Sequence, residues 1–398
     1  MNQPSSEPLF QPLRLPCGAV LKNRIAKAAM SDSLGDGRGN PTDAQIRLYE
    51  RWAHGGLALS IIGEVQGDPS AAEKPGNLVL RDDCDREGFQ RLARKGTEKG
   101  SHLWLQLGHA GAMAHPPISD PKGPSALALP GLSCSALSHD EVRTLPAAFA
   151  DTAKLARELG FSGVEIHAAH GFLLSQFLSP LFNKRTDGYG GPIEGRMRLV
   201  LEVVEAVRRA VGERFPVGIK LNASDQLKGG LEEADALAVV AALDRTGVDL
   251  IDISGGTYFP GAKSASDSAG KGPYFLNFAR RARTLTDKPL MVTGGFKTLD
   301  QAAQAVADGS TDLVGLARSL ALDPELPDQW QSGANTDPVF PKFQDPPEGG
   351  VTAWYTMRLT ALGQNREAIS EMDVDQAIAA YDSRDRERTA LWKARFGT

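Results

Sequence analysis

Apolar positions along the chain fall into two alternating patterns. Short, nearly continuous apolar runs occur at 25–30 (IAKAAM), 57–64 (LALSIIGE), 102–107 (HLWLQL), 163–168 (GVEIHA), 216–222 (PVGIKLN), 248–254 (VDLIDIS), 289–293 (PLMVT) and 311–316 (TDLVGL). Runs of this length and composition suit strands buried on both faces. Between them, apolar residues recur at helical spacing over 42–54, 85–99, 146–159, 194–211, 232–246, 275–286 and 298–308. In 194–211 the stripe is Val200, Val203, Val204, Val207 and Val211. Thr42 is placed to cap the first of these helices, and Gly55, Gly100, Gly160, Gly212 and Gly247 follow helix ends, where glycine readily enters the left-handed region. Strand–helix alternation predicts a parallel sheet covered by helices. Eight strands favour an α/β fold of the closed (β/α)8 type, a TIM barrel, over a doubly wound sheet. The alternation stops near residue 325, so 1–330 reads as the barrel. Residues 331–398 read as a C-terminal helical arm, not an independent domain: 331–352 are rich in Pro, Gly and Asp, and 353–397 look helical. The arm is expected to pack on the barrel or on a neighbouring subunit, which would make a homo-oligomer.

Composition narrows this little and excludes more. The chain has 398 residues, 41% apolar and 23% charged, an ordinary globular balance that rules out global disorder. A single barrel with insertions accommodates ~200 to more than 400 residues. The net charge of −5 argues against nucleic-acid or membrane-surface partners. No run approaches the ~18–20 apolar residues of a spanning helix. Residues 1–10 lack the basic and apolar regions of a signal peptide, and Cys17, Cys84 and Cys134 are odd in number and far apart. Both observations lead to the expectation of a cytoplasmic, reducing location without a disulfide frame, zinc site or iron–sulfur site.

The strand C-termini form the catalytic rim of a barrel, and two long insertions, 108–145 and 255–273, lie there. Strand 7 ends in Gly294-Gly295 and strand 8 runs into Ala317-Arg318. Glycine turns and an arginine at these two strands suit a phosphate, although Gly294-Gly295 also suits a plain tight turn. Gln106 and Lys220 fall at buried strand ends. A salt bridge from Lys220 to a neighbouring strand is one reading. The other is the pyrimidine edge of a flavin, which offers donors and acceptors and gains negative charge on reduction. His167 and His170 are three apart after strand 4. Metal ligation lacks a third ligand, and no metal is expected. Two structural histidines are the default, and two donors aimed at a substrate oxygen become the best reading beside a phosphate turn and Lys220.

The run 165–196, EIHAAHGFLLSQFLSPLFNKRTDGYGGPIEGR, resembles the Old Yellow Enzyme family of FMN-dependent NAD(P)H:flavin oxidoreductases. The likeness extends to the strand 1 turn, to QLGHAG after strand 3 and to VGLARSLALDP at 314–324, and covers about residues 8–330. It implies a barrel holding non-covalent FMN against Ala28, Ala29, Met30, Ser31 and Gly63, with Gln106 and Lys220 at the pyrimidine ring. Gly294, Gly295, Ala317 and Arg318 would hold its phosphate. His167 and His170 would be catalytic, binding the acceptor oxygen or the nicotinamide amide, with Phe172 and Tyr258 lining the substrate pocket. Three departures stand out. Phe172 occupies the place of the family's proton-donating tyrosine, Ser31 that of a Thr or Cys, and Ala112 that of an Arg.

The expected function is therefore hydride transfer from NAD(P)H through flavin N5 to a small electron-poor acceptor: an activated alkene, a quinone or a nitro compound. One rival is a flavin dehydrogenase or demethylase, though some seventy residues after the barrel are too few for a second nucleotide domain. The other is a flavin-binding redox partner with little turnover.

Overall fold

The computed structural model describes residues 6–259, 272–334, 337–367 and 372–397. Part of the insertion 255–273 therefore lies outside the described residues. The eight apolar runs are the strands β1 (Ile25–Met30), β2 (Leu59–Gln66), β3 (His102–Leu107), β4 (Gly163–Ala168), β5 (Val217–Asn222), β6 (Leu250–Ser254), β7 (Leu290–Thr293) and β8 (Leu313–Leu316). Each pairs in parallel with the next, and β8 pairs with β1, so the sheet closes into a barrel. Every residue of β2 is buried, as a strand between a filled interior and a ring of helices requires.

The covering helices are α1 (Asp43–His54), α2 (Arg86–Gly96), α3 (His139–Glu158), α4 (Arg198–Val211), α5 (Glu233–Leu243), α6 (Leu276–Arg283) and α7 (Leu299–Ala307). Thr42 caps α1 by accepting from the Gln45 amide, and the valine stripe of α4 is wholly buried. One helix begins earlier than the sequence suggests. A capping box between Ser138 and Glu141 starts α3 at His139, and the helix then carries Pro146 inside it. A capping box satisfies two otherwise unpaired donors, and it outweighs the hydrogen bond that the proline forfeits.

The N-terminal ends of the strands enclose Ala26, Leu59, Ile61, Trp104, Leu250, Met291 and Leu313, over which a hairpin packs Leu13, Leu15 and Leu21. Gly163 and Gly218 make room for the Trp104 indole: a Cβ at Gly163 would come within 2.4 Å of it. This end of the barrel is a closed apolar plug.

The arm forms two helices, α8 (Gly350–Gly363) and α9 (Val374–Phe396). Both pack on their own barrel. The Arg47 guanidinium donates to the Gly363 carbonyl at 2.8 Å, Arg388 donates to the Ser33 carbonyl at 2.5 Å, and Trp392 is buried with Ala72, Val79 and Ile118. Among the described residues no helix is long and apolar enough to cross a membrane.

Candidate active site

Side chains alternate across a strand, so residues two apart share a face. One step above the apolar plug, β3 therefore presents Gln106, β5 Lys220, β6 Asp252 and β7 Thr293, with Glu165 from β4 beside them. The register sets His167 opposite Lys220 and Lys220 opposite Asp252. Gln106 donates through Nε2 to Glu165 Oε1 at 2.7 Å. Lys220 donates to Asp252 Oδ2 and stands 4.0 Å from Glu165 Oε1. Thr293 donates to Asp252 Oδ1 at 2.7 Å. Glu165, Lys220 and Asp252 are all 0% exposed.

Of the two readings of Lys220, the salt bridge is therefore realised. Carboxyls from both neighbouring strands stand beside the lysine. Burial works against the ammonium, but Asp252 and Glu165 outweigh it and hold Lys220 charged. Burial pushes Glu165 up to about 8 against the pull of Lys220 and raises Asp252 too. Burial thus favours the uncharged form of both carboxyls, while together they favour the charged form of the lysine.

The two histidines meet one another. His167 Nε2 and His170 Nδ1 lie 3.1 Å apart, and His170 Nε2 is 2.9 Å from Ser254 Oγ. His170 takes a left-handed backbone, φ 62°, and its amide donates to Asn222 Oδ1 at 3.0 Å. Burial, and then the Lys220 charge, lower His170 to about 3. Burial, His170 and Lys220 hold His167 well below the usual imidazole range. Both rings are thus neutral and joined in a chain, where the sequence suggested two independent donors aimed at one oxygen.

Phe172 is buried, with its ring 4.8 Å from His167. Tyr258 lies 5.5 Å from His170 and 6.2 Å from Phe172, ring to ring. Tyr355, from α8, is buried with its ring 5.5 Å from the Arg318 guanidinium, away from the histidines' ring cluster.

At the ends of β1 and β2, Ala28 is buried and Ala29, Met30 and Ser31 are half-buried. Gly63 has a steric reason: a Cβ there would come within 2.5 Å of the Met30 backbone. The next residue, Glu64, escaped the sequence reading. It has φ 63° beside an irregularity in the β2–β3 register, and its Oε2 is buried without a hydrogen bond. Burial, and after it Glu73, raise its carboxyl well above the ordinary range. An acidic residue directly after a glycine in an apolar strand was the available signal.

Gly294 and Gly295 both have positive φ, 122° and 85°, and a Cβ at Gly295 would strike the Gly272 carbonyl at 2.1 Å. Arg318 opens the short helix Arg318–Leu322 just after Ala317. Pairing of β7 with β8 brings these four residues together.

The donor set suits a flavin mononucleotide. Glycines and Arg318 stand at one side, the Gln106–Lys220 layer beneath the mouth, and Glu64, Gln66 and Glu165 each offer a buried oxygen without a hydrogen bond. A separate hollow of about 670 Å³ opens outside the barrel among Arg47, Glu50, Arg51 and His54. Glu50, His54 and Glu98 converge near it, yet Lys95 already bonds Glu50 at 2.7 Å and Glu98 at 2.9 Å.

The sequence matches the NADH:flavin oxidoreductase / NADH oxidase family over residues 8–337. It is 35% identical over 381 residues to the NADH-dependent flavin oxidoreductase iliE of Neonectria sp. (strain DH2), covering 86% of this chain and 49% of that protein. The chain thus spans about half the length of that relative. It is 32% identical over 326 residues to the NADPH dehydrogenase of Bacillus subtilis (strain 168), covering 79% of this chain and 92% of the relative. The structure of morphinone reductase in complex with tetrahydroNAD superposes with a TM-score of 0.72 at 27% identity, covering 84% of this chain and 93% of that one.

Proposed function

The chain belongs to the NADH:flavin oxidoreductase / NADH oxidase family, and from that premise we propose that it is an FMN-dependent oxidoreductase passing reducing equivalents from NAD(P)H to a small electron-poor acceptor, an activated alkene, quinone or nitro compound. The observation that carries this reading is the buried layer under the mouth, where a charged lysine and two neutral histidines are fixed at the ends of adjacent strands. FMN, when bound, supplies the two-electron chemistry by accepting a hydride and releasing it again.

The protein's part is binding and electrostatics. Gly294, Gly295, Ala317 and Arg318 hold the phosphate. Ala28, Ala29, Met30, Ser31 and Gly63 shape the wall, and Gln106 and Lys220 address the pyrimidine edge. Lys220 is already charge-balanced by Asp252 and Glu165, so its pull on developing negative charge is smaller than that of an unpaired lysine. His167 and His170 bind the acceptor oxygen, or the nicotinamide amide, by exchanging a bond within their chain for one to the ligand. Being neutral, they act as hydrogen-bond donors at the place where negative charge develops and do not supply a proton. Phe172 and Tyr258 line the acceptor side.

Denaturing the purified protein and identifying the released chromophore tests the cofactor assignment. Yellow protein releasing intact FMN is the expected result. Colourless protein that fails to take up added FMN contradicts it. The site residues include no cysteine, and the ring nitrogens of its two histidines that face one another and Ser254 are engaged in hydrogen bonds, so the flavin is expected to be non-covalent and none of it should remain with the precipitate.

A further inference from the structure

Reduction of an activated alkene needs a proton at Cα, and several groups near the mouth are unsuited to give it. Phe172 has no proton to give. The histidines are neutral, and their hydrogens are engaged with one another and with Ser254. Glu64, its carboxyl raised by burial and then by Glu73, is only 7% exposed and is paired with Glu73. Tyr355 is packed against Arg318.

Tyr258 differs from all of these. It is 57% exposed at the mouth, beside His170 and Phe172. Desolvation, and after it Glu73 and Glu64, push its phenol up to about 12, so it holds its proton at neutral pH. Its backbone is tied to the turn after β4. The Tyr258 amide donates to the His170 carbonyl at 3.1 Å, and Thr257 bridges to His170 in parallel register. Gly171 permits this approach, since a Cβ there would meet Thr257 Oγ1 at 2.2 Å. The loop after β6 thus carries a phenol to the side of the pocket where the turn after β4 carries only Phe172.

We propose that Tyr258 is the catalytic acid that protonates Cα during alkene reduction, an assignment that rests on the function proposed above. The alkene Cβ gains a hydride that originates in NAD(P)H. The π pair forms the new C–H bond at Cα with the proton of Tyr258, whose O–H bond breaks and leaves its electron pair on oxygen. The tyrosinate then takes a proton from water, and one C=C bond has become CH–CH at the expense of one NAD(P)H.

The test compares wild type, Tyr258→Phe and Tyr258→Phe/Phe172→Tyr as FMN-loaded proteins. Tyr258→Phe should still be reduced by NAD(P)H, and its Kd for 2-cyclohexenone, read from perturbation of the flavin spectrum, should change far less than the rate at which 2-cyclohexenone reoxidises it. Reoxidation of the reduced protein by 2-cyclohexenone should slow ~10²–10⁴-fold, the usual worth of a general acid, while reoxidation by a quinone, which needs no proton at Cα, should slow far less. The double variant should recover cyclohexenone reduction, because Phe172→Tyr returns a phenol from the other side of the same contact. Wild-type cyclohexenone rates in Tyr258→Phe overturn the assignment. A rise in Kd with equal slowing toward quinone also overturns it, since that is a positioning role. Wild-type protein that NAD(P)H does not reduce fails at an earlier step and removes the functional reading itself.

Discussion

The barrel interior has two layers that differ by a single step along the strands. On β3, β6 and β7 the lower residues are Trp104, Leu250 and Met291, and two positions further on stand Gln106, Asp252 and Thr293. The lower layer is filler, held by shape and apolar contact. The upper layer is a connected set of charges and donors, in which each group's protonation depends on its neighbours. Lower-layer substitutions should therefore change stability and leave chemistry alone, whereas upper-layer substitutions should change both.

The largest effect is expected from Lys220→Met. Removing the cation leaves Glu165 and Asp252 buried together, and breaking a buried pair costs ~3–5 kcal/mol, measurable by denaturant unfolding. The same variant should lower the flavin potential and slow reduction by NAD(P)H. Lys220→Arg, which keeps the charge, should be milder in both. Leu313→Ala in the lower layer should cost ~2–5 kcal/mol through its cavity with an unchanged flavin potential. Loss of potential in Leu313→Ala, or none in Lys220→Met, would erase the contrast.

Arg318→Ala tests the phosphate side. A charge-assisted phosphate contact is worth ~1.5–3 kcal/mol, so FMN dissociation measured by fluorescence should be easier by that amount. Lost packing against Tyr355 would instead appear as lower stability of the FMN-free protein.

The most graded effect concerns pH. His167 and His170 have folded pKa values below the unfolded one of ~6.5, His170 at about 3. Their contribution is fully present above pH ~6.5 and is lost as the pH falls toward the folded values, by at most ~1.4 kcal/mol per pH unit for each ring. Glu165, raised to about 8, acts in the opposite sense: its contribution is present at low pH and is lost as the pH rises through that value. Urea unfolding from pH 4 to 7 should show a steeper acid limb in wild type than in His167→Asn/His170→Asn.

The fold was legible because buried parallel strands leave dense apolar runs. Gly55, Gly160, Gly212 and Thr42 marked helix boundaries, whereas α2 and α5 end four residues before Gly100 and Gly247, and Pro146 misled because a capping box upstream overrode it. Of the site, the residues after β4 and β8 were visible as local groupings. The partners of Lys220 were not. Asp252 is 32 positions away, and Glu165 sits inside an apolar strand, in register with Gly218, so that only the side-chain geometry shows it 4.0 Å from Lys220. The His167–His170 bond depends on a left-handed His170, which no glycine announces. The nearness of Tyr258 to Phe172 arises from a bridge between the loops after β4 and β6, strands separated by β5.

The most direct test of the account is an anaerobic titration of the purified protein with NADH and, separately, NADPH, followed through the main visible flavin band. At least one of the two should bleach the band fully, and adding a quinone or 2-cyclohexenone should restore it. A flavin that stays oxidised with both nucleotides, yet is readily reduced by dithionite, would contradict the account and leave a flavin-binding protein without this turnover.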